Sequence, residues 1–314
     1  MISDEDVISA YRLLLGREPE NQEAVRSAAA ECSSLKDLRQ RFINSTEFRK
    51  ANGITNRIPF DAAPAAIDVN ANPAELAMMV SRIGILFDHL GKIDPHWSVL
   101  SAEKYRADRI VETEGEFFAS GEVDVRNFQA TARRCSVSLN RDGECVELGC
   151  GLGRGTIWLS RIFSHVTAID ISAPHLEIAS QAVAARGVRN IKFQQFDSLE
   201  VLDRLTPFDA FFCLLVLQHN PPPVMALMLR KILRRLKSGG LAYFQIPVFQ
   251  PSYHFKPDEY IKNPSQLGQL EMHILPQRDL FRIIRETDCE VLEVREDGSA
   301  GPTFVSLRLL LVKN

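Results

Sequence analysis

The sequence predicts an α/β fold: a doubly wound, mostly parallel seven-stranded sheet ending in an antiparallel hairpin, plus a small N-terminal helical domain. Three observations carry this. From Arg141 onward, short apolar runs alternate with helical stretches, the pattern of a parallel sheet with helices on both faces. The last two strand-like runs, 290–295 and 303–312, are joined only by a turn containing Asp297-Gly298 and Gly301-Pro302; a link that short forces an antiparallel pair. Residues 4–50, by contrast, carry helical spacing alone.

In chain order, residues 4–50 predict three short helices. Val7, Tyr11, Leu14 and Leu15 share one face. A second helix covers Ala24–Cys32, and Ser33 or Ser34 caps a third with Leu35, Leu38, Phe42 and Ile43 at helical spacing. The Pro/Ala/Asn-rich stretch 51–73 marks a linker. Residues 74–140 form a helical extension. Asn72 caps its first helix and Pro73 opens it; Leu76, Val80, Ile83, Phe87 and Leu90 make its stripe, and Gly91 ends it. Trp97, Tyr105, Phe117 and Phe118 cluster without clear periodicity across 94–121, and a further helix fits 124–139.

The alternating unit, 141–314, begins with a strand at Cys145–Leu148, a helix at Thr156–Ile162 and a strand at Val166–Ile169. Ser172 caps a helix over 173–186 that Gly187 stops. Strands follow at Ile191–Phe196 and Phe208–Val216. A helix spans Pro221–Lys237 up to Gly239-Gly240, before the strand Leu241–Ile246. A loop-rich insertion, 248–276, precedes a helix at 277–287 and the final hairpin.

The 314 residues are 45% hydrophobic and 25% charged, an ordinary soluble balance able to bury a full core. A net charge of −3 gives no bulk argument for a nucleic-acid partner. No apolar run is long enough to span a bilayer, and the acidic start Ser3-Asp4-Glu5-Asp6 is unlike a signal peptide. The six cysteines show neither C-x-x-C pairs nor zinc spacing, so they predict reduced thiols, a cytoplasmic setting and no metal.

The chemistry sits in Val146-Glu147-Leu148-Gly149-Cys150-Gly151-Leu152-Gly153-Arg154-Gly155. Glycines between a strand and a helix let the backbone turn tightly and approach a ligand closely. A dinucleotide fingerprint needs glycine where Arg154 stands, counting from Gly149, or where Thr156 stands, counting from Gly151; a phosphate loop needs a Gly-Lys-Ser/Thr that is absent.

Glu147 to Gly153 resembles the first motif of class I S-adenosylmethionine-dependent methyltransferases, over about residues 95–314. The resemblance implies a Rossmann-like fold and S-adenosylmethionine as cofactor. Asp170 ends the next strand, about 20 residues on, where a ribose-binding acid is expected. Phe196-Asp197 stands where the family has an acid at the adenine, and Leu236-Lys237-Ser238-Gly239-Gly240 resembles its "L-K-P-G-G" turn, with serine for proline. The resemblance therefore implies the cofactor-binding set Glu147, Gly149, Cys150, Gly151, Gly153, Asp170, Ile171, Asp197, Ser198 and Leu215, with Tyr105 from a region that in related enzymes folds over the cofactor as a lid; the alternative for these aromatics is a hydrophobic cluster bracing the sheet.

An oxygen acceptor needs a general base. His219, just after the fourth strand, lies at the sheet edge that faces the ligand; His254 and His273 in the insertion are rival candidates. The N-terminal segments Tyr11 to Pro19 and Phe42 to Phe48 resemble a small helical bacterial domain related to phycobilisome linker repeats, found on enzymes of surface-polysaccharide assembly. This implies O-methylation of a sugar or glycan hydroxyl, with the helices as a surface for a protein partner or self-association. The alternatives are a small metabolite or lipid head group as acceptor, and a scaffold that binds cofactor without catalysis.

Overall fold

The computed structural model describes residues 2–52, 58–59, 61–263 and 268–314, so parts of the expected linker (51–73) and insertion (248–276) lie outside the described residues. The N-terminal unit holds α1 (Asp4–Ala10), α2 (Gln22–Glu31), α3 (Leu35–Ile43) and α4 (Thr46–Ala51). After α1 the chain makes one π turn, Tyr11–Leu15, and Gly16 ends it in the left-handed region at φ 68°. Three helices were expected. The fourth starts because the Ser45 hydroxyl accepts the N–H of Phe48 at 3.2 Å. Val7, Val25, Ala28, Leu38 and Phe42 pack into a core separate from the rest, whereas Leu35, expected inward, stays exposed.

Part of the stretch read as a linker is docked. Phe255 donates its N–H to Ala66 and accepts that of Asp68, each at 3.0 Å, and Val69 joins the main core. α5 (Pro73–Ile93) opens with a reciprocal cap: Asn72 Oδ1 accepts the Glu75 N–H at 3.0 Å, and the Glu75 carboxylate accepts the Asn72 N–H at 2.8 Å. Gly91 does not end this helix. A Cβ there would lie 2.9 Å from both His175 Nδ1 and Ser172 Oγ, so its bare backbone serves close packing instead.

α6 (Pro95–Val99) and a 3₁₀ turn, Glu103–Tyr105, lead to α7 (Ile110–Arg134). α7 takes in Phe117 and Phe118 of the aperiodic cluster together with most of the helix expected at 124–139, ending at Arg134; Trp97 lies in α6 and Tyr105 in the 3₁₀ turn. Phe117, Phe118, Gly121, Val125, Phe128 and Ala132 are its buried face. Glycine fills one position of that face, which hides the stripe from a search for bulky residues.

The sheet comprises β1 (Glu144–Leu148), β2 (His165–Asp170), β3 (Ile191–Gln195), β4 (Phe208–Cys213), β5 (Leu236–Phe249), β6 (Cys289–Glu296) and β7 (Val305–Lys313). Their order is β3-β2-β1-β4-β5-β7-β6. β1 to β5 pair in parallel; β7 runs antiparallel to both β5 and β6, as the short turn required. β5 starts at Leu236, where a helix end was expected, because Leu236 already pairs with Phe208 before a register shift.

Alternation along the strands builds two cores. Phe211, Cys213, Ala242, Phe244, Leu309 and Leu311 face α5, α10 (Pro222–Arg235) and α12 (Gln277–Glu286). Ala210, Phe212, Leu241, Tyr243 and Leu310 face α7 and α8 (Thr156–Leu159). α9 (Ala173–Ala185) follows β2, and α11 (Pro257–Lys262) lies in the insertion. Among the described residues no helix is long and apolar enough to cross a membrane. The chain runs from β1 outward to β3, then returns to β4 on the other side of β1, so a crevice opens at the carboxyl ends of β1 and β4.

Candidate cofactor and acceptor site

That crevice holds a cavity of about 920 Å³, open solvent at its mouth included. Its floor is the glycine loop after β1. Gly149 and Gly151 adopt φ of 72° and 53°. A Cβ on Gly149 would sit 2.1 Å from Val216 Cγ2, and one on Gly151 2.7 Å from Val99 Cγ2. The loop therefore needs glycine both for its backbone angles and for the approach of its neighbours. Asp170, at the end of β2, braces the loop: its Oδ2 accepts the Gly151 N–H at 2.7 Å and its Oδ1 the Ser172 N–H at 2.9 Å.

Glu147 points from β1 into the same space and accepts the Thr156 hydroxyl at 2.5 Å. Burial pushes its carboxyl up to about 7, against the Thr156 bond and the charge of Arg154. Arg154 also lines the cavity, its guanidinium held by Asp124 at 2.7 Å. The roof comes from the helical extension: Ile83 and Phe87 of α5, Ser98 and Val99 of α6.

Leu215, Val216, His219 and Asn220 form the wall after β4. Leu215 is held at φ 62°, a left-handed backbone that costs about 1–2 kcal/mol outside glycine. Its N–H donates to Gln245 Oε1 at 3.1 Å, and the buried Gln245 amide in turn donates to Gln218 Oε1 and Ser306 Oγ. A 3₁₀ turn, Leu217–His219, then presents the imidazole beside Phe87, ring centroids 5.6 Å apart. His219 Nδ1 lies 2.8 Å from the Glu271 carbonyl. A carbonyl can only accept, so Nδ1 carries the proton and Nε2 keeps its lone pair, 3.4 Å from the Gln218 amide nitrogen. Burial lowers the ring to about 4, so it is neutral above that pH.

Of the residues singled out from sequence, Glu147, Gly149, Cys150, Gly151, Asp170, Ile171, Leu215 and His219 meet around this cavity. The others lie off its lining. Gly153, at φ 80°, faces Ala179 of α9. Asp197 is exposed, although its neighbour Phe196 lines the cavity, and Ser198 precedes the 3₁₀ turn Leu199–Arg204. Tyr105 is buried against Phe117, centroids 5.4 Å apart. His254 is exposed. His273 is buried behind the wall, bonded to the Tyr253 hydroxyl at 2.7 Å. Sequence reasoning missed Arg154, Ser98, Val99, His175, Asn220 and Met228 as lining. Only the helical stripe through Ile83 and Phe87 gave a signal, and that signal equally describes a core.

Residues 145–240 match the family described as methyltransferase domain. The chain is 26% identical over 186 residues to a ubiquinone biosynthesis O-methyltransferase of Albidiferax ferrireducens, covering 59% of this chain and 62% of that one. It is 33% identical over 69 residues to a tRNA/tmRNA (uracil-C(5))-methyltransferase of a Nitratiruptor species, 22% of this chain and 19% of that one. The matches thus span less than two thirds of these curated relatives. Among solved structures, the 4+2 cyclase SpnF has a TM-score of 0.51 at 15% identity, covering 80% of this chain and 99% of that one, a likeness of fold.

The family match makes residues 145–240 a methyltransferase domain, and with the fold and glycine loop around it the cofactor is S-adenosylmethionine. The residues fit that cofactor: a cradle with no Cβ at Gly149 and Gly151, and a buried acid beside it at Asp170.

Proposed function

We propose that this chain transfers a methyl group from S-adenosylmethionine to a hydroxyl of a small molecule, with His219 as general base. The observation that carries this is the Nδ1 bond from His219 to the Glu271 carbonyl, which leaves Nε2 unprotonated, with only a long 3.4 Å contact from the Gln218 amide nitrogen, on a side chain lining the cofactor cavity. Gly149, Gly151, Asp170 and Ile171 would hold the cofactor. Bound there, it supplies a methyl group on a positive sulfonium whose charge is lost on transfer, so an imidazole can become positive without adding net charge to a dry pocket. His219 Nε2 takes the acceptor's proton as the new bond to oxygen forms.

Ile83, Phe87, Val99 and Met228 give the cavity apolar walls. They favour a hydroxyl carried on a ring or chain with an apolar face. A sugar or glycan hydroxyl in surface-polysaccharide assembly is the second reading; what supports it is the resemblance of the N-terminal helices, which would then recruit a protein partner or a second copy. The six free thiols support a reducing, cytoplasmic setting.

The test is release of S-adenosylhomocysteine with a panel of phenols, glycosides and nucleotide sugars, for the native chain and His219→Asn. The expected result is turnover on the apolar hydroxyls that falls ~10²–10⁴-fold in the variant, with cofactor affinity unchanged. Turnover confined to glycosides or nucleotide sugars would establish the second reading. Tight cofactor binding with no turnover on any acceptor would indicate a scaffold.

A further inference from the structure

Glu271 touches His219 only through its backbone, yet its side chain is among the most heavily bonded on this side of the sheet. Its Oε1 accepts Arg82 Nη2 at 2.5 Å. Its Oε2 accepts the Tyr260 hydroxyl at 2.6 Å and faces His273 Nε2 at 3.4 Å. Burial opposes the charge, but the bonds from His273, Tyr260 and Arg82 outweigh it and hold the carboxyl down at about 2. Arg82 is fixed in turn: its Nη1 donates to the carbonyls of Tyr260, at 2.6 Å, and of Asn263, and its guanidinium lies 3.9 Å from the Tyr260 ring centroid.

The main chain of this segment is laced to the sheet end. His219 Nδ1 donates to the Glu271 carbonyl, the His273 N–H donates to the Gln218 carbonyl at 2.7 Å, and the Leu275 N–H donates to the Pro247 carbonyl at 3.0 Å. Residues 271–275 are thus a strap across the ends of β4 and β5. Arg82 precedes Ile83 on α5, and Phe87, one turn on, packs on His219. One ion pair therefore joins the strap that bonds the imidazole to the helix that packs against it.

We propose that Glu271 and Arg82 are positioning residues: their ion pair, completed by Tyr260, holds the Glu271 carbonyl against His219 and so fixes which ring nitrogen carries the proton. The main-chain bonds at His273 and Leu275 hold the strap from two residues further on, and the side-chain clamp adds the tie at Glu271 itself, whose carbonyl must stay within hydrogen-bond reach of one ring atom. The inference rests on the reading of His219 as the base for its consequence in turnover, but not for the tautomer itself.

The tautomer can be read directly, by long-range nitrogen–proton correlation spectra of histidine-labelled protein with S-adenosylhomocysteine present. The His219 signals are identified by their loss in His219→Asn. The expected native pattern is a proton on Nδ1. In Glu271→Ala the proton should redistribute to Nε2, with S-adenosylhomocysteine affinity unchanged. Methyl transfer to the acceptor found in the phenol and glycoside panel should fall ~10–100-fold, the scale of a misplaced catalytic group. Glu271→Gln keeps one oxygen for Arg82 and turns an amide N–H toward Tyr260, whose hydroxyl oxygen can accept it, so it should restore both the Nδ1 proton and most of the turnover. A folded Glu271→Ala with its His219 proton still on Nδ1 overturns the proposal. A displaced proton with full turnover supports the clamp and removes His219 as base. Should Glu271→Ala fail to fold, Tyr260→Phe deletes one bond of the clamp; a partial shift of the proton is expected there, and none overturns the proposal.

Discussion

Asp170 holds the glycine loop by its backbone: the carboxylate accepts the Gly151 N–H at 2.7 Å, across the gap between β2 and β1. The same group accepts the Ser172 N–H, so one acid braces the loop, caps the approach to α9 and lines the cofactor cavity. Replacing it by alanine strands two buried donors, at about 1–3 kcal/mol each. Asp170→Ala should therefore lower the melting temperature and weaken S-adenosylmethionine binding at least ~10-fold, a change of about 1.4 kcal/mol. Asp170→Asn keeps one acceptor oxygen and should fall between. Calorimetric titration of folded Asp170→Ala that shows native affinity would remove Asp170 from the cofactor site.

Gly121 is where α7 meets the glycine loop. A Cβ there would lie 2.0 Å from the Arg154 carbonyl oxygen, which is backbone and cannot swing aside. Gly121→Ala should cost about 1–3 kcal/mol or more in urea unfolding. Gly115, six residues earlier on the same helix, has nothing within 4 Å of its added Cβ. Gly115→Ala should stabilise by roughly 0.5–1 kcal/mol through helix propensity. Equal effects at the two sites would mean that α7 does not pack on the loop as described.

Glu147 and His219 bend the stability profile in opposite directions. Burial raises Glu147 from 4.5 to about 7, so its contribution is fully present below pH 4.5 and is lost as pH rises through 7. Burial lowers His219 from 6.5 to about 4, so the unfolded chain binds that proton more readily; its contribution is present above pH 6.5 and is lost as pH falls toward 4. Between 4.5 and 6.5 the two slopes oppose, each at most ~1.4 kcal/mol per pH unit. Glu147→Gln leaves His219 unopposed. In cofactor-free protein its unfolding free energy should climb more steeply with pH across that window than the native chain's. Parallel curves would show that Glu147 titrates near its ordinary value.

What the sequence made legible is what is local. Gly149 to Gly153 announce a tight turn because strand, glycines and helix are adjacent in the chain, and the Asp297 to Pro302 turn dictates an antiparallel hairpin by its length alone. α7 was hidden because Gly121 occupies a core position without a bulky side chain. The cavity roof was hidden for a different reason: Phe87 and Val99 reach the site by tertiary packing, and helical spacing does not separate a core stripe from a pocket wall. The partner of His219 is a carbonyl 52 residues away, and a carbonyl leaves no trace in residue identity.

The N-terminal helices bear on function only if they are coupled to the cavity. Their buried residues Val7, Val25, Ala28, Leu38 and Phe42 close on one another, and none belongs to the core beneath the site. The segment that does dock is later: Ala66 and Asp68 bond Phe255, and Val69 enters the main core. Cutting between these two regions removes a self-contained core, while cutting after Val69 strips apolar area from the sheet at about 25 cal/mol per Å². A chain starting at Ala62 should therefore keep its S-adenosylmethionine affinity and melting temperature, and one starting at Asn72 should melt lower. Loss of cofactor binding in the longer of the two would place the helices in the cofactor-binding unit. Retained affinity with lost turnover on a glycoside would instead tie them to the acceptor.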